Sequence, residues 1–397
     1  MTQKSAAVVV GRNLNALGIV RSLAAGDVPV VLVCTSRFDV AALSRHCRIE
    51  VVRALSGREL IEALKALGGR FAAKPVLFLT EEDSVASLSE MGAELADLYH
   101  IGVPSRRATE LLSDKALFHE FATREGLPLP RGRIIRSAED IGSLRDFELP
   151  IIVKPANKDR IACGADKSVV LAATYEEAFT RCQRLVAARA GALVQEWIDG
   201  PDRSIYFCLF HADAEGEPVA LFTGRKLASF PPRVGSTAIC APAPRAHDEL
   251  AAITTRLTKR LAMSGLGGLE FKWDGRAGRF VIIEPTVGRS DWQQEIATLA
   301  GVNIPLAAYA HYCGLPQIRP PAELARIAWR SSFRHRTPPG SIEPGARVVD
   351  GYWRLSDPLP GLAYYLIGPV LRLPRRVIAT ISPRFRWPAP TPGKVLP

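Results

Sequence analysis

Apolar and polar positions repeat with two different periods along the first 110 residues. Short apolar runs such as AAVVV, VPVVLVC and KPVLFLT are typical of buried strands. Between them, segments such as ALGIVRSLAAG and SGRELIEALKALG carry apolar residues at helical spacing. Strands and helices that alternate in this way build a parallel sheet covered by helices. The pattern therefore predicts an α/β domain over residues 1–110.

The pattern changes near Pro104. Beyond it, ELPIIVKPA, VVLAAT, ALVQEWIDG and the region 204–241 indicate strands, whereas LFHEFATREG, TYEEAFTRCQRLVAAR and AHDELAAITTRLTKRLAMSG indicate helices. Ser113-Asp114-Lys115 is interpreted as the start of the first of these helices, and the proline-rich GLPLPRG follows its end. This part of the chain is predicted to be α+β.

A hairpin with two acidic residues is the most informative local feature. The runs LEFKW and RFVII are separated by DGRAG, which has the composition of a turn. Antiparallel pairing then brings Glu270, in the first run, near Glu284, which closes the second. Magnesium binds one or two carboxylates together with substrate phosphates. We therefore expect a divalent-cation site that a nucleotide completes, although an exposed hairpin with scattered acids is the alternative.

Composition excludes several classes of protein. The 397 residues are 47% hydrophobic and 23% charged, which is typical of a globular protein. The seven cysteines occur singly and without a C-x-x-C pair, which favours reduced thiols in a cytosolic protein over disulfides or a zinc module. The N-terminal MTQKSAAVVVGRNLNALG does not resemble a signal peptide, and no apolar run reaches the ~20 residues of a membrane span.

The positive charge is concentrated near the C-terminus. Residues 321–397 contain twelve Lys or Arg and four Asp or Glu, so they carry +8 of the chain's net charge of +11. No helix-turn-helix, zinc or RNP-like signature accompanies them, so nucleic acid is not an expected partner. Arginines between 372 and 386 alternate with aromatic and aliphatic residues, which suits peripheral contact with an anionic inner membrane surface. A solvated basic tail that packs a few aromatics on the body is the alternative.

Two polar segments follow strands of the first domain. GRNLNALG is not G-x-G-x-x-G, so Gly11 and Gly18 are expected to permit close helix packing or to touch a substrate, not to bind NAD. TEEDS at 80–84 is interpreted as the cap of a helix, with Asp83 or Ser84 as the capping residue. A ligand at this strand end is the alternative for TEEDS.

The motifs between Ser113 and Arg289, in their order and spacing, resemble the ATP-grasp superfamily. The similarity is to its carboxylate–amine ligases, such as D-aspartate ligase, D-alanine:D-alanine ligase and the synthetase halves of carbamoyl-phosphate synthase. The resemblance implies a Rossmann-like N-terminal domain followed by an ATP-grasp fold, in which two antiparallel sheets sandwich ATP. It divides the chain into an N-terminal domain, a central subdomain, a C-terminal subdomain with the magnesium site and a basic extension, over 1–110, 111–200, 201–320 and 321–397.

The resemblance also implies roles for single residues in binding the nucleotide. Lys115 in SDKALFHEF and Lys154 in IIVKPA match lysines that reach the phosphates. ALVQEWIDGPD matches the hinge between the two sheets. By that match, Gln195 contacts the exocyclic amine of adenine, and the main chain of Glu196 and Ile198 contacts the rest of the adenine edge. Asp202 contacts the ribose hydroxyls.

Further roles follow at the phosphates and the metal. Arg225 and Lys226 match a basic pair that grips the terminal phosphate, and Arg289 is a third cation there. Magnesium, or manganese in its place, is assigned to Glu270, Glu284 and Thr286. The sequence departs from the family pattern in two places. The family's E-x-N-x-R is replaced by EPTVGR. The phosphate-covering loop NKDRIACGADKS has only one glycine, so Lys158, Arg160 or Lys167 would have to bind the phosphates in place of its backbone amides.

The chemistry that the resemblance implies is ligation. A small carboxylate such as an amino acid is activated by ATP as an acyl phosphate and then captured by an amine, with release of ADP and phosphate. The substrate pocket is expected to include Asp291, Trp292 and Gln293. Because of the two departures, the alternative is a catalytically weak or inactive ATP-binding protein that docks at a membrane through its basic tail.

Overall fold

The computed structural model describes residues 5–157, 169–233, 235–336 and 340–367. The helices are α1 Asn13–Ala24, α2 Gly57–Gly68, α3 Glu82–Met91, α4 Arg106–Ser113, α5 Lys115–Arg124, α6 Tyr175–Ala187, α7 His247–Leu261, α8 Glu295–Ala300, α9 Ile304–Tyr312 and α10 Pro358–Leu362, which continues as a π-helix over Ala363–Ile367. The strands are β1 Ala7–Val10, β2 Val30–Cys34, β3 Arg48–Val51, β4 Val76–Leu79, β5 His100–Ile101, β6 Gly132–Ile135, β7 Ile151–Pro155, β8 Val170–Ala172, β9 Ala192–Glu196, β10 Ile205–Ala212, β11 Pro218–Phe230, β12 Ser236–Pro242, β13 Gly265–Asp274, β14 Arg279–Val287, β15 Ile327–Arg330 and β16 Arg347–Asp350.

The N-terminal part is a five-stranded parallel sheet in the order β3-β2-β1-β4-β5. Apolar clusters cover both of its faces, one shared with α1, α8 and α9 and the other with α2 and α3. The α/β architecture predicted from the alternating runs is therefore confirmed. The edge strands β3 and β5 were not predicted, because β3 is largely exposed and β5 has only two residues.

Close packing explains the glycines of the first turn. Gly11 has φ +153°, and a Cβ there would lie 1.7 Å from the hydroxyl of Thr80. A Cβ on Gly18 meets Glu295 at 3.4 Å, so α1 and α8 approach closely, as expected. The predicted cap of α3 is wrong. The helix already begins at Glu82, and Ser84 donates its hydroxyl to the Leu55 carbonyl instead.

Two antiparallel sheets form the rest of the molecule. The smaller has the order β6-β9-β7-β8 and packs on α6, which begins with the Thr174 and Glu177 capping box. The larger has the order β14-β13-β10-β11-β12-β15-β16, in which all neighbours are antiparallel except β15 and β16. One face of this sheet packs on the helices of the N-terminal sheet, and the other face packs on α5 and α7. Both predicted antiparallel sheets are therefore present.

The described part of residues 321–367 belongs to the body of the protein. Strand β15 pairs with β12, so residues on both sides of the boundary expected at 320 share one sheet. The carboxylate of Asp357 accepts hydrogen bonds from the Arg21 guanidinium at 3.0 Å and from the Ser44 hydroxyl at 2.9 Å. Among the described residues, no helix combines the length and apolar character needed to cross a bilayer. The arginines from 372 onward lie outside the described residues.

Replacing Asp357 tests this attachment. Asp357→Asn leaves the buried Arg21 without its closest anionic partner, so we expect the free energy of unfolding to fall by about 2–3 kcal/mol. Chemical denaturation of both proteins measures the change. Asp146→Asn is the matched control, because it removes an exposed pair with Arg133 at 2.8 Å and should cost below about 0.5 kcal/mol. Equal effects of the two substitutions would contradict the buried attachment.

Candidate nucleotide and metal site

The two glutamates of the hairpin face each other. Strands β13 and β14 pair with Glu270 directly opposite Glu284, and a bulge follows between Glu270 and Phe271. Thr286 lies opposite Gly268 and, being two residues from Glu284, points to the same face of the sheet. The predicted pairing of the acidic hairpin is therefore confirmed, and three oxygen-bearing side chains share one sheet face.

Glu270 is paired with a buried cation. The Lys226 ammonium lies 2.5 Å from the Glu270 carboxylate, and only 5% of the lysine side chain is exposed. Burial alone would lower the pKa of Lys226, but the carboxylate outweighs this and the pKa is raised. Burial raises the pKa of Glu270, Lys226 opposes this, and the carboxylates of Asp291 and Glu284 raise it further. This concentration of carboxylates favours the binding of a cation.

Lys115, at the start of α5, and Lys154, on the smaller sheet, both reach strand β14. Asp114 caps α5 by accepting hydrogen bonds from two backbone amides, which places Lys115 at the start of the helix. The Lys115 ammonium lies 2.6 Å from the Glu284 carboxylate. Lys154, on β7, donates to the carbonyl of Ile283 at 3.4 Å. The stretch of β14 around Glu284 therefore receives cations from α5 and from the smaller sheet.

A cleft separates the two antiparallel sheets. Its walls include Lys154, Gln195, Ile198, Lys226 and Ile283, together with Pro130, Ile152, Val169, Glu196, Trp197, Ile205, Arg233, Gly235, Glu270, Lys272 and Glu284. Gln195, Glu196 and Ile198 of the predicted hinge thus line it. The Glu196 carboxylate accepts from the Arg131 amide at 2.9 Å, and the Glu196 amide donates to the Arg131 carbonyl. This amide is therefore engaged within the protein.

Three cleft residues with charged or aromatic side chains, Trp197, Lys272 and Arg233, were not identified from the sequence as site residues. Trp197 was expected in the core but lines the cleft, with the cations of Lys272 and Arg233 each 5.4 Å from its ring centre. The Lys272 ammonium donates to the Gly200 carbonyl at 3.1 Å, and burial lowers its pKa. Because Lys272 is two residues from Glu270, strand alternation was the signal that could have found it.

Two predicted site residues do not join this arrangement. Arg225 is adjacent to Lys226 on β11, so it faces the opposite side of the sheet, where it pairs with Tyr206. It cannot form a basic pair with Lys226 at the carboxylates. Asp202 accepts hydrogen bonds from the amides of Ser229 at 2.8 Å and Arg233 at 2.9 Å. The two oxygens of Asp202 thus stabilise the β11–β12 turn. The sequence did not indicate this structural role.

A second, polar cavity adjoins the cleft. The two share Lys226, Gly235, Glu270 and Glu284, and the second is completed by Glu82, Ser236, Thr237, Pro285, Thr286, Arg289, Asp291, Trp292 and Gln293. The Arg289 guanidinium contacts Glu82 at 2.8 Å, and its Nε is buried with no hydrogen-bond partner among the described residues. The residues expected to form a substrate pocket after Arg289 therefore lie beside the carboxylate pair.

Known structures with the same architecture were found by comparison of the fold. The biotin carboxylase domain of Hydrogenobacter thermophilus 2-oxoglutarate carboxylase superposes with a TM-score of 0.61 at 16% identity, over 80% of this chain and 71% of that one. Campylobacter jejuni biotin carboxylase superposes with a TM-score of 0.62 at 16% sequence identity, over 81% of this chain and 74% of that one. N5-carboxyaminoimidazole ribonucleotide synthetase from Thermus thermophilus superposes with a TM-score of 0.58 at 19% sequence identity, over 78% of this chain and 79% of that one.

This chain has the ATP-grasp fold. The fold class predicted from the motifs is thereby confirmed. No protein-family model matches the sequence. No curated protein matches it either. At these identities the comparisons establish the architecture alone.

The departure from E-x-N-x-R is accommodated by a glycine. Gly288, the additional residue before Arg289, has φ +64°, a region that favours glycine. A Cβ there would lie 2.6 Å from the side chain of Val85 on α3. Arg289 nevertheless lines the same cavity as Glu284 and Thr286. In this ATP-grasp fold the additional residue therefore forms a tight turn and the arginine still faces the carboxylates.

Gly288→Ala should disturb both the turn and Arg289. We expect a loss of about 3 kcal/mol in the free energy of unfolding, because the left-handed backbone and the contact with Val85 both oppose a Cβ. Gly278→Ala is the matched control, since Gly278 has φ +61° but no atom within 4 Å of its Cβ position, and it should cost about 1–2 kcal/mol. Chemical denaturation distinguishes them. Equal losses would show that Val85 does not constrain the turn.

The second departure from the ATP-grasp pattern is the loop after β7. The glycine-poor loop, with Lys158, Arg160 and Lys167, lies outside the described residues. Within the described ranges, no group of three or more His, Cys, Asp or Glu side chains is arranged to hold a metal ion. Two carboxylates and a hydroxyl would therefore need further oxygen ligands, which is how magnesium binds when substrate phosphates complete its shell.

Proposed function

We propose that this protein is an ATP- and magnesium-dependent ligase that joins a small carboxylate to an amine. The observation that carries the proposal is the pairing of Glu270 with Glu284 where the cleft between the two sheets meets the polar cavity. A nucleotide in the cleft and a carboxylate in the cavity would meet there. The fold supports the same class, since similar structures include carboxylase and synthetase enzymes.

The residues present fit a magnesium–nucleotide complex. Glu270, Glu284 and Thr286 supply the hard oxygen donors that magnesium requires. Lys154 and Lys115 supply compact cations for phosphate oxygens. Gln195 and Ile198 line the cleft, where a base would lie. The Hydrogenobacter structure was obtained with MgADP, ADP and bicarbonate, which is the kind of ligand set proposed here.

The proposed reaction has two steps. A carboxylate oxygen of the substrate attacks the terminal phosphorus of ATP, the bond to the bridging oxygen breaks and ADP leaves. The amine then attacks the carbonyl carbon of the acyl phosphate, loses a proton, and displaces phosphate. Bound magnesium supplies neutralisation of phosphate charge. The chain contributes positioning and charge, which supply most of the rate enhancement in phosphoryl transfer.

Lys226 and Arg289 are the cations best placed for this role. Lys226 is held at the carboxylate pair by its contact with Glu270, and its raised pKa keeps it charged at neutral pH. The buried Nε of Arg289 has a donor available for an anionic ligand in the polar cavity. Asp291 and Glu82 in the same cavity offer carboxylates to an ammonium group, which supports an amino acid as one of the substrates.

An unbiased assay of ADP formation tests the proposal. The enzyme is incubated with ATP, magnesium and pairs drawn from a panel of metabolite carboxylates and amines. We expect ADP and phosphate to be released only when magnesium, one carboxylate and one amine are all present. Tight binding of ATP without turnover for any pair would instead indicate a nucleotide-binding protein.

A further inference from the structure

Strand β3 forms an open edge of the parallel sheet. It stands last in the order β3-β2-β1-β4-β5, and among the described residues it pairs only with β2. Ile49 and Val51 on this strand are 38 and 48% exposed, and Arg48 is exposed as well. An edge strand that exposes apolar side chains is a template for pairing with another strand.

The direction of the backbone shows which groups are available at this edge. The Val52 amide, just after β3, donates to the Cys34 carbonyl of β2. Successive residues of a strand direct their amide and carbonyl groups to opposite sides, so the even-numbered residues of β3 face β2. The amide and carbonyl groups of Ile49 and Val51 therefore face outward, where they are available to a second strand.

The order of the side chains makes β3 complementary to a copy of itself. When two β3 strands run antiparallel about a two-fold axis at Ile49, Arg48 of each copy lies opposite Glu50 of the other. The outward groups of Ile49 then exchange hydrogen bonds with Ile49 of the other copy. Arg48 and Glu50 fall in pairs without backbone hydrogen bonds, where opposite side chains approach most closely. Opposite charges at such positions stabilise a sheet.

The apolar face of the strand also suits a second copy. Ile49 and Val51 lie beside Leu32 and Cys34 of β2, which belong to the apolar cluster shared with α1. They therefore extend this cluster to the open edge of the sheet. Self-pairing covers Ile49 with its own copy, and it covers Val51 with Cys47 of the other chain.

The charged face excludes the neighbouring registers. An axis moved by one residue places either Arg48 or Glu50 opposite its own copy, and like charges directly opposite each other are destabilising. Glu50 is already held by the Arg70 guanidinium through contacts of 3.0 and 3.1 Å. Its carboxylate therefore has a fixed position at the edge, where Arg48 of a second copy would meet it.

We propose that the protein forms a symmetric dimer in which two β3 strands join the five-stranded sheets of two copies into one continuous sheet. A four-residue strand gives a contact at the low end of interface areas, so we expect a dissociation constant on the order of micromolar. The dimer does not depend on the proposed ligase activity, because β3 contributes no residue to the cleft or the polar cavity.

Charge reversal tests this register on the full chain. Sedimentation equilibrium over a range of concentrations measures the dissociation constant. Arg48→Glu and Glu50→Arg each place two like-charge pairs in the dimer, so each alone should weaken dimerisation at least about tenfold. An equal mixture of the two variants should associate as the wild type does, because every Glu then faces an Arg. The double variant Arg48→Glu/Glu50→Arg should dimerise for the same reason.

Matched variants show whether these effects are specific. Lys259→Glu and Glu217→Arg reverse the charges of an exposed pair elsewhere on the surface and should dimerise as the wild type does. Ile49→Lys is an independent variant, because it places two ammonium groups together at the two-fold axis and should weaken dimerisation about tenfold or more. Circular dichroism checks that each variant is folded.

Three results would overturn the proposal. The first is a wild type with the mass of a single chain at all concentrations up to about a hundred times micromolar. The second is unchanged dimerisation of Arg48→Glu, Glu50→Arg and Ile49→Lys, which would show that another surface joins the copies. The third is a failure of the mixed charge variants to associate with each other.

Discussion

Glu284→Gln is expected to lower the rate of ATP turnover about a thousandfold while leaving the protein folded. The substitution keeps the shape of the side chain but removes the negative charge that faces Glu270 across the hairpin. A neutral amide is a poor ligand for magnesium, so the phosphate charge would no longer be neutralised at this strand end. The Lys115 ammonium, 2.6 Å away, would also lose its anionic partner.

Glu217 offers a closely matched control. Its side chain is 55% exposed against 53% for Glu284, and it contacts the Lys259 ammonium at 2.5 Å. Glu217→Gln should leave turnover unchanged, and both variants should unfold within about 0.5 kcal/mol of the wild type. Steady-state kinetics and denaturation on the same preparations give both quantities. Full activity of Glu284→Gln would show that this carboxylate does not hold the metal.

Removing either member of the Lys226–Glu270 pair is expected to affect both activity and stability. Lys226→Met leaves the partly buried Glu270 carboxylate without its cation, and Glu270→Gln leaves a buried ammonium without its anion. We expect each to lower the free energy of unfolding by about 3–5 kcal/mol, because the remaining charge is uncompensated. Turnover should be lost in both, since one removes a cation and the other a metal ligand.

The double variant Lys226→Met/Glu270→Met separates the two effects. Two apolar side chains replace the pair, so we expect most of the stability to return while turnover stays lost. Lys259→Met is the control, because it breaks an exposed pair of the same 2.5 Å length and should cost below about 1 kcal/mol. If Lys226→Met and Lys259→Met cost the same, the Lys226–Glu270 pair is not a buried one.

Local patterns explain which parts of the site could be predicted from the sequence. The hairpin of Glu270 and Glu284 depends on two short apolar runs and the turn between them, all within about 20 residues, so its pairing followed from turn chemistry. The start of α5 at Lys115 followed in the same way from the capping residue Asp114. Both features are set by neighbours in the chain.

Features that depend on distant segments were not predictable. Asp202 binds amides 27 and 31 residues further along the chain, and nothing in its own surroundings indicates this. Strand β15 pairs with β12 across a long intervening stretch, so the region after residue 320 was expected to be an extension. The placement of the Arg225 and Lys226 side chains on opposite faces of the sheet could have been predicted, because side chains alternate between the two faces along a strand.

The same contrast applies to the C-terminal region. Its basic and aromatic composition indicated a membrane surface or a packed tail, and the sequence alone did not separate the two. The fold places Tyr364 and Tyr365 against the body and leaves the leucines beside them exposed.

The most direct test of the proposed metal and nucleotide site is a crystal structure with manganese and a nonhydrolysable ATP analogue. We expect an anomalous peak within about 2–2.5 Å of oxygens from both Glu270 and Glu284, with the base in the cleft beside Gln195. A peak elsewhere, or two carboxylates that point into solvent while the analogue binds outside the cleft, would contradict the assignment.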